Sequence, residues 1–197
     1  MYDRRTETWW QQATGEAIAG ELTGTQLQML PLLLLAWKDA RAGYPEAEVL
    51  SRDTGYQRPY GRNPYSKYDS GTPFLYDGPP SPQEYSPLER AVVAHVEQEQ
   101  KIYPYSLLQE KRVINDTIAA TPLVVWWFRG TASALDTASI AQGKDVGTAL
   151  IFYRTVDTSV LTFQWKGNRL IDRQTGSVWD IYGKAVEGPL QGKALKP

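Results

Sequence analysis

Hydrophobic and polar positions alternate through most of the second half of the chain, and short polar, Gly-containing breaks separate the apolar runs. That period of two predicts strands at Val113-Ile114, Leu123 to Phe128, Thr148 to Tyr153, Val160 to Trp165, Arg169 to Asp172 and Ser177 to Ile181. The turn Lys166-Gly167-Asn168-Arg169 separates two of them. Upstream, Leu88 to Val96, Glu97 to Gln100 and Lys101 to Tyr103 read as strand, turn and strand, a hairpin. Pro104 then suits the first turn of a helix over Tyr105 to Lys111. A second helix is predicted over Leu33 to Ala42, stopped by Gly43 and Pro45, and a brief strand over Glu48 to Ser51. The fold class expected is α+β and β-dominated, a mostly antiparallel sheet, barrel or sandwich with a few short helices, in a single domain over 1–197.

The two ends carry the same pattern. Tyr2-Asp3-Arg4-Arg5-Thr6-Glu7-Thr8-Trp9-Trp10 returns as Ile171-Asp172-Arg173-Gln174-Thr175-Gly176-Ser177-Val178-Trp179. After one deleted residue, Gly15, Ala17, Gly20, Leu22, Gly24 and Leu27 align with Gly183, Ala185, Gly188, Leu190, Gly192 and Leu195. The expectation is an internal duplication, with a partial first copy over 1–31 and a complete second copy from about 91 to 197. Duplication of the whole set assigns Asp3, Arg4 and Trp10, and Asp172, Arg173 and Trp179, to structure: a turn-locking Asp–Arg ion pair and a core Trp.

Between the copies, residues 52–85 form a long loop rich in Gly, Pro, Tyr, Asp and Ser. Loops of that length inside a domain are functional or disordered, and the aromatic content argues against disorder. Arg52, Asp53, Tyr60, Arg62, Asn63, Tyr65, Tyr68 and Asp69 are the candidate ligand-binding residues. Planar guanidinium forks suit carboxylates or phosphates, and Tyr faces suit sugars or cations. The competing reading is a loop that staples itself to the sheet through those same groups.

Composition narrows the chemistry. Apolar residues make up 42% and charged residues 22%, with seven Trp and twelve Tyr against four Phe. A net charge of -1 supplies no attraction for a phosphate backbone, so no nucleic-acid partner is expected. The absence of Cys removes disulfides and thiolate metal sites. The longest apolar run, Met29 to Trp37, contains Pro31 and falls well short of the ~20 residues of a membrane helix, so no transmembrane segment is expected. Met1 to Arg5 are polar and lead into no apolar stretch, so no signal peptide is expected. No phosphate-cradling glycine signature, nucleophile elbow or His-containing metal spacing is present. His95, the lone histidine, sits in an apolar run without partners for base or metal work and reads as structural. No catalytic residue, cofactor or metal is expected, and oligomeric state is left open.

Residues 1–18, Leu50-Ser51-Arg52 and Tyr60-Gly61-Arg62-Asn63-Pro64-Tyr65 resemble a bacterial and archaeal family known as domain of unknown function 3179. Val113 to Thr117 and Asp172 to Trp179 are similar to the repeated unit of that family. The resemblance covers nearly the whole chain. It implies an upstream half with a Thr-Tyr-Cys-Pro-Leu-Cys-like segment, which here would precede Met1; the equivalent stretch of the second copy, Val124 to Asp136, has no Cys. The resemblance also implies an often exported, extracytoplasmic protein, but no activity. The expected function is a non-catalytic ligand-binding or structural module acting through the 52–69 loop. The alternative is a hydrolase of sugar-like or phosphorylated substrates that uses carboxylates among Asp53, Asp69, Asp116 and Asp136.

Overall fold

The computed structural model describes residues 1–73, 76, 78–80 and 83–197, so positions 74, 75, 77, 81 and 82 of the predicted loop lie outside the described residues. The chain divides into two compact units, Met1–Leu33 and Leu34–Pro197.

In the first unit, β1 (Tyr2–Asp3), β2 (Thr8–Trp10) and β3 (Ala17–Ala19) form an antiparallel sheet in that order. The turn after β1 closes because the Asp3 carboxylate accepts the Arg5 N–H at 2.9 Å and the Thr6 hydroxyl at 2.6 Å. Asp and Thr in this spacing satisfy the turn's own polar groups locally. The buried Thr8 hydroxyl accepts the Leu22 N–H at 3.2 Å, tying the segment after β3 to β2.

In the second unit, α1 (Trp37–Gly43) precedes the long loop, and a hairpin of β4 (Ala91–Val96) and β5 (Glu99–Pro104) follows it. Next come α2 (Tyr105–Lys111) and the three-stranded sheet β6 (Val113–Ile118), β7 (Thr121–Phe128) and β8 (Thr148–Tyr153). A small pair, β9 (Thr155–Val156) and β10 (Ser159–Val160), leads into the four-stranded sheet β11 (Phe163–Lys166), β12 (Arg169–Asp172), β13 (Val178–Trp179) and β14 (Ala185–Glu187). The architecture is β-dominated and every strand pairing is antiparallel. Among the described residues no sheet closes into a barrel.

The apolar run Leu123 to Phe128 is unbroken because β7 is buried on both faces. Val125 and Trp127 join Tyr103, Tyr105 and Leu108 in one core cluster. Trp126, alternating to the other face, meets Phe152 at 4.7 Å and Phe163 at 5.6 Å between ring centroids. Phe163 in turn meets Trp179 at 5.4 Å.

Several boundaries differ from the pattern-based expectation. The helix predicted from Leu33 begins only at Trp37, because Ala36 is extended at φ −63° and ψ 146°. No strand forms at Glu48 to Ser51, where every side chain is exposed. The run Val160 to Trp165 breaks after Val160, where the Leu161 N–H turns to the Arg154 carbonyl at 2.8 Å. The strand expected over Ser177 to Ile181 shortens to Val178–Trp179, because the Asp180 carboxylate then accepts the N–H groups of Tyr182 and Lys184 at 2.9 Å and makes a turn.

The backbone at the two ends runs through equivalent pairings. Tyr2↔Trp9, Trp9↔Ala19 and Trp10↔Ala17, with a bulge at Trp9/Trp10, recur as Ile171↔Val178, Val178↔Glu187 and Trp179↔Ala185, with a bulge at Val178/Trp179. The isolated bridge Glu16↔Gln26 recurs as Lys184↔Ala194. Gly20 and Gly188 both have positive φ and sit against the backbone of the second strand. A Cβ there would stand 2.5 Å from Thr8 Cα and 2.8 Å from Ser177 Cα respectively. Gly192, at φ +88°, has open space where its Cβ would go. Gly188→Ala should therefore lose clearly more stability in urea unfolding than Gly192→Ala, which meets only the left-handed penalty of about 1 kcal/mol. Equal losses would contradict the close approach.

Candidate functional site

The long loop is held to the segment after β7 by a short, mostly main-chain ladder. Asn63 N–H donates to the Ala138 carbonyl at 2.9 Å, Lys67 N–H to Asp136 at 2.6 Å, and Tyr68 N–H to Leu135 at 3.1 Å. Arg62 and Ser139 form an antiparallel bridge. Asn63, only 7% exposed, uses its side chain for the same purpose. Its amide donates to the Thr137 carbonyl at 3.2 Å, and its oxygen accepts the Tyr65 N–H at 2.7 Å.

This ladder delivers Asp69 to a polar cluster. The buried Ser133 hydroxyl donates to Asp69 Oδ2 at 2.5 Å and accepts the Leu135 N–H at 3.1 Å and Arg90 Nη2 at 3.3 Å. Arg90 Nη2 lies 3.8 Å from Asp69 Oδ2, and Lys144 Nζ lies 3.3 Å from Oδ1. Oδ1 is buried and receives no hydrogen bond of good geometry. Burial pushes the Asp69 carboxyl up, but the hydrogen bond from Ser133, the adjacent Lys144 ammonium and the charge of Arg90 outweigh it. They hold the group below the usual carboxylate range. Asp69, Arg90, Tyr105, Ser106, Gln109 and Lys144 face a concavity of about 180 Å³, and Glu89 also reaches it.

The other loop candidates stay apart from this cluster. Arg52, Asp53, Tyr60, Arg62 and Tyr65 are exposed. The Tyr60 hydroxyl bonds Thr54 at 2.6 Å, and Tyr65 packs edge-on against Tyr68 with centroids 6.4 Å apart. Of the carboxylates considered for hydrolysis, Asp116 is bound by Lys101 at 2.7 Å and the Tyr103 hydroxyl at 2.8 Å. Asp136 accepts the Lys144 N–H at 2.7 Å. Of the four, only Asp69 lines the concavity.

The expected Asp–Arg ion pair does not form at either turn. Asp172, fully buried, accepts the Thr175 N–H at 2.6 Å, the Thr175 hydroxyl at 2.9 Å and Trp179 Nε1 at 3.0 Å. Arg173 is exposed and donates to Gln164 at 2.9 Å. Arg173 is the first residue of the turn after β12 and faces solvent, while the Asp172 carboxylate at the strand's end is turned to the core. Arg4 is exposed too, and Asp3 is held by Thr6 and Arg5 N–H. Trp10 and Trp179 are both buried. His95 projects from the exposed face of β4 opposite Gln100.

Among the described residues, no group of three or more His, Asp or Glu side chains could hold a metal ion. Among them, no helix is long and apolar enough to cross a membrane.

The profile of a family described as "Protein of unknown function (DUF3179)" matches residues 1–197. No curated protein and no solved structure matches the chain.

The folded pKa of Asp69 lies below its unfolded value of 3.8. Its contribution to stability is therefore complete above that value and is lost as pH falls through the folded pKa. Between about pH 5 and pH 2, wild type should lose more stability than Asp69→Asn in otherwise identical unfolding measurements. Parallel losses would show that the carboxylate is not held by its neighbours.

Proposed function

We propose that this chain, which belongs to the DUF3179 family of proteins of unknown function, is a non-catalytic binding module whose ligand enters the concavity around Asp69. The observation that carries this reading is the buried Asp69 Oδ1, which meets only the half-exposed Lys144 ammonium, poorly aligned at 3.3 Å. Lys144, whose side chain is 47% exposed, lies over that oxygen and can swing aside. Two cations are balanced by Asp69 and Glu89, so the site does not call for a highly charged ligand. Ser106, Gln109 and Arg90 add donors and acceptors around the same space, which suits a small polyhydroxylated molecule such as a sugar.

A hydrolytic role is the second reading, because Asp69 and Glu89 line one concavity. Two features weigh against it. The lowered pKa of Asp69 leaves it unsuited to give up a proton near neutrality. Glu89 Oε1 already accepts the Ser106 N–H at 2.9 Å, at the start of α2.

We also infer that 1–31 and about 91–197 are a partial and a complete copy of one repeated unit. The matching bulge, bridge and positive-φ glycines support this, since a shared backbone path with shared residues is hard to reach twice independently.

Monosaccharides, their 6-phosphates and inorganic phosphate, titrated into the full chain with amide NMR detection, test the binding proposal. A monosaccharide should perturb Asp69, Ser106, Gln109 and Lys144, and Asp69→Asn should weaken it about tenfold, or about 1.4 kcal/mol. Perturbation confined to Arg52–Tyr65, or none at all, would overturn it. Turnover of nitrophenyl glycosides or nitrophenyl phosphate abolished by Asp69→Asn would favour the hydrolase.

A further inference from the structure

A half-buried cation stands where α2 meets β7 and β11. Arg112 ends α2: its N–H donates to the Leu108 carbonyl at 2.8 Å, and its carbonyl accepts the Trp127 N–H at 2.9 Å. These bonds hold its backbone at a φ of 64°, a conformation that favours glycine. The guanidinium carbon lies 4.1 Å from the ring centroid of Trp165 and 5.7 Å from that of Trp127. Phe128 packs edge-on against Trp165 at 5.1 Å and supports that ring from the side.

Two donors of this stack are unused. Arg112 Nε and Trp165 Nε1 are both buried, and neither donates a hydrogen bond among the described residues. Arg112 forms no ion pair among them either. The indoles of Trp126, Trp127 and Trp179 each find an oxygen, at Ile181, Val146 and Asp172, the last a carboxylate at 3.0 Å. Buried donors without acceptors are rare. Here two of them belong to groups stacked on each other, one of which carries an unanswered charge. Strained backbone that aims such a group is a mark of functional sites.

We propose that Arg112 and Trp165 bind a small carboxylate ligand, at a site separate from the concavity around Asp69, which neither residue lines. One face of the guanidinium is taken by the indole, so its edge is left for the ligand. Two parallel N–H donors on that edge match the two oxygens of a carboxylate. The Trp165 N–H adds a third donor, as Trp179 already gives one to Asp172. A single guanidinium balances a single negative charge, which favours a carboxylate over phosphate. Both side chains are partly exposed, so the anion arrives from solvent and rotation of the long Arg112 side chain turns its fork to meet it.

The test titrates acetate and propionate into the full chain, with phosphate and chloride at matched ionic strength as controls. The carboxylates should shift the Trp165 indole N–H resonance, assigned with Trp165→Phe, in a saturable way, and the controls should not. Arg112→Gly removes the guanidinium and relieves the positive φ, so it should be at least as stable as wild type and lose the response. Arg112→Lys keeps the charge without the fork and should weaken binding about tenfold. The proposal is overturned if the Trp165 resonance stays in place with both carboxylates. An equal response to phosphate or chloride overturns it too, since the cation would then attract any anion. If Arg112→Gly fails to fold, Arg112→Lys decides, and undiminished binding in that variant rejects the site.

Discussion

One indole, that of Trp126, joins the two main sheets of the larger unit. It stands on the face of β7 that looks away from α2, and its ring packs on Phe152 from β8 and on Phe163 from β11. Phe163 carries the contact onward to Trp179 on β13. Main-chain pairing cannot make this connection, because β6–β8 and β11–β14 are separate ladders. Asn115 on β6 supplies the polar part of the joint. Its side-chain amide donates to the Phe163 carbonyl at 2.8 Å, and its oxygen accepts the Phe163 N–H at 2.7 Å, so one side chain imitates a strand. Aromatic packing gives the attraction and the amide fixes the register.

Register matters because of what lies beyond Phe163. Its ladder partner is Asp172, whose fully buried carboxyl is enclosed by Thr175 and Trp179. An unpaired carboxyl there would be costly, so the Asp, the Thr three positions on and the Trp seven positions on act together. The first sheet carries the same three residue types, but Asp3 is partly exposed and no bond joins it to the Trp10 indole. The same local code therefore gives a fully buried turn at Asp172 and a partly exposed one at Asp3.

Much of this was legible from pattern alone. The hairpin, α2 behind Pro104, β8 and β12 follow from alternation and from proline's fixed geometry. The misplaced start of α1 reflects a general limit: Leu32 to Ala36 is as apolar as a helix face, yet it lies in no helix, and Ala36 is extended. Of the loop residues that composition singled out, Asn63 lies in the main-chain ladder and Asp69 in the polar cluster. Composition was misled by the tyrosines, since Tyr56, Tyr60 and Tyr65 are 73%, 42% and 61% exposed rather than packed away. Arg90, Ser133 and Lys144 carried no local signal, because what makes them a site is Asp69 arriving from 64 residues before Ser133.

That arrival also explains how a staple and the proposed binding site share the same residues. The main-chain ladder from Arg62 to Tyr68 leaves Asp69 no freedom to retreat to solvent, so its carboxylate is pressed into the Ser133 cluster. Oδ2 is satisfied there by Ser133, and Oδ1 meets only Lys144. A loop serving only to cover the sheet could have ended in a residue that asks for nothing further. An ionisable group with one oxygen answered only by a half-exposed lysine holds polar potential in reserve. A carboxylate oxygen answered in this way, beside a concavity, is what the proposed ligand would meet.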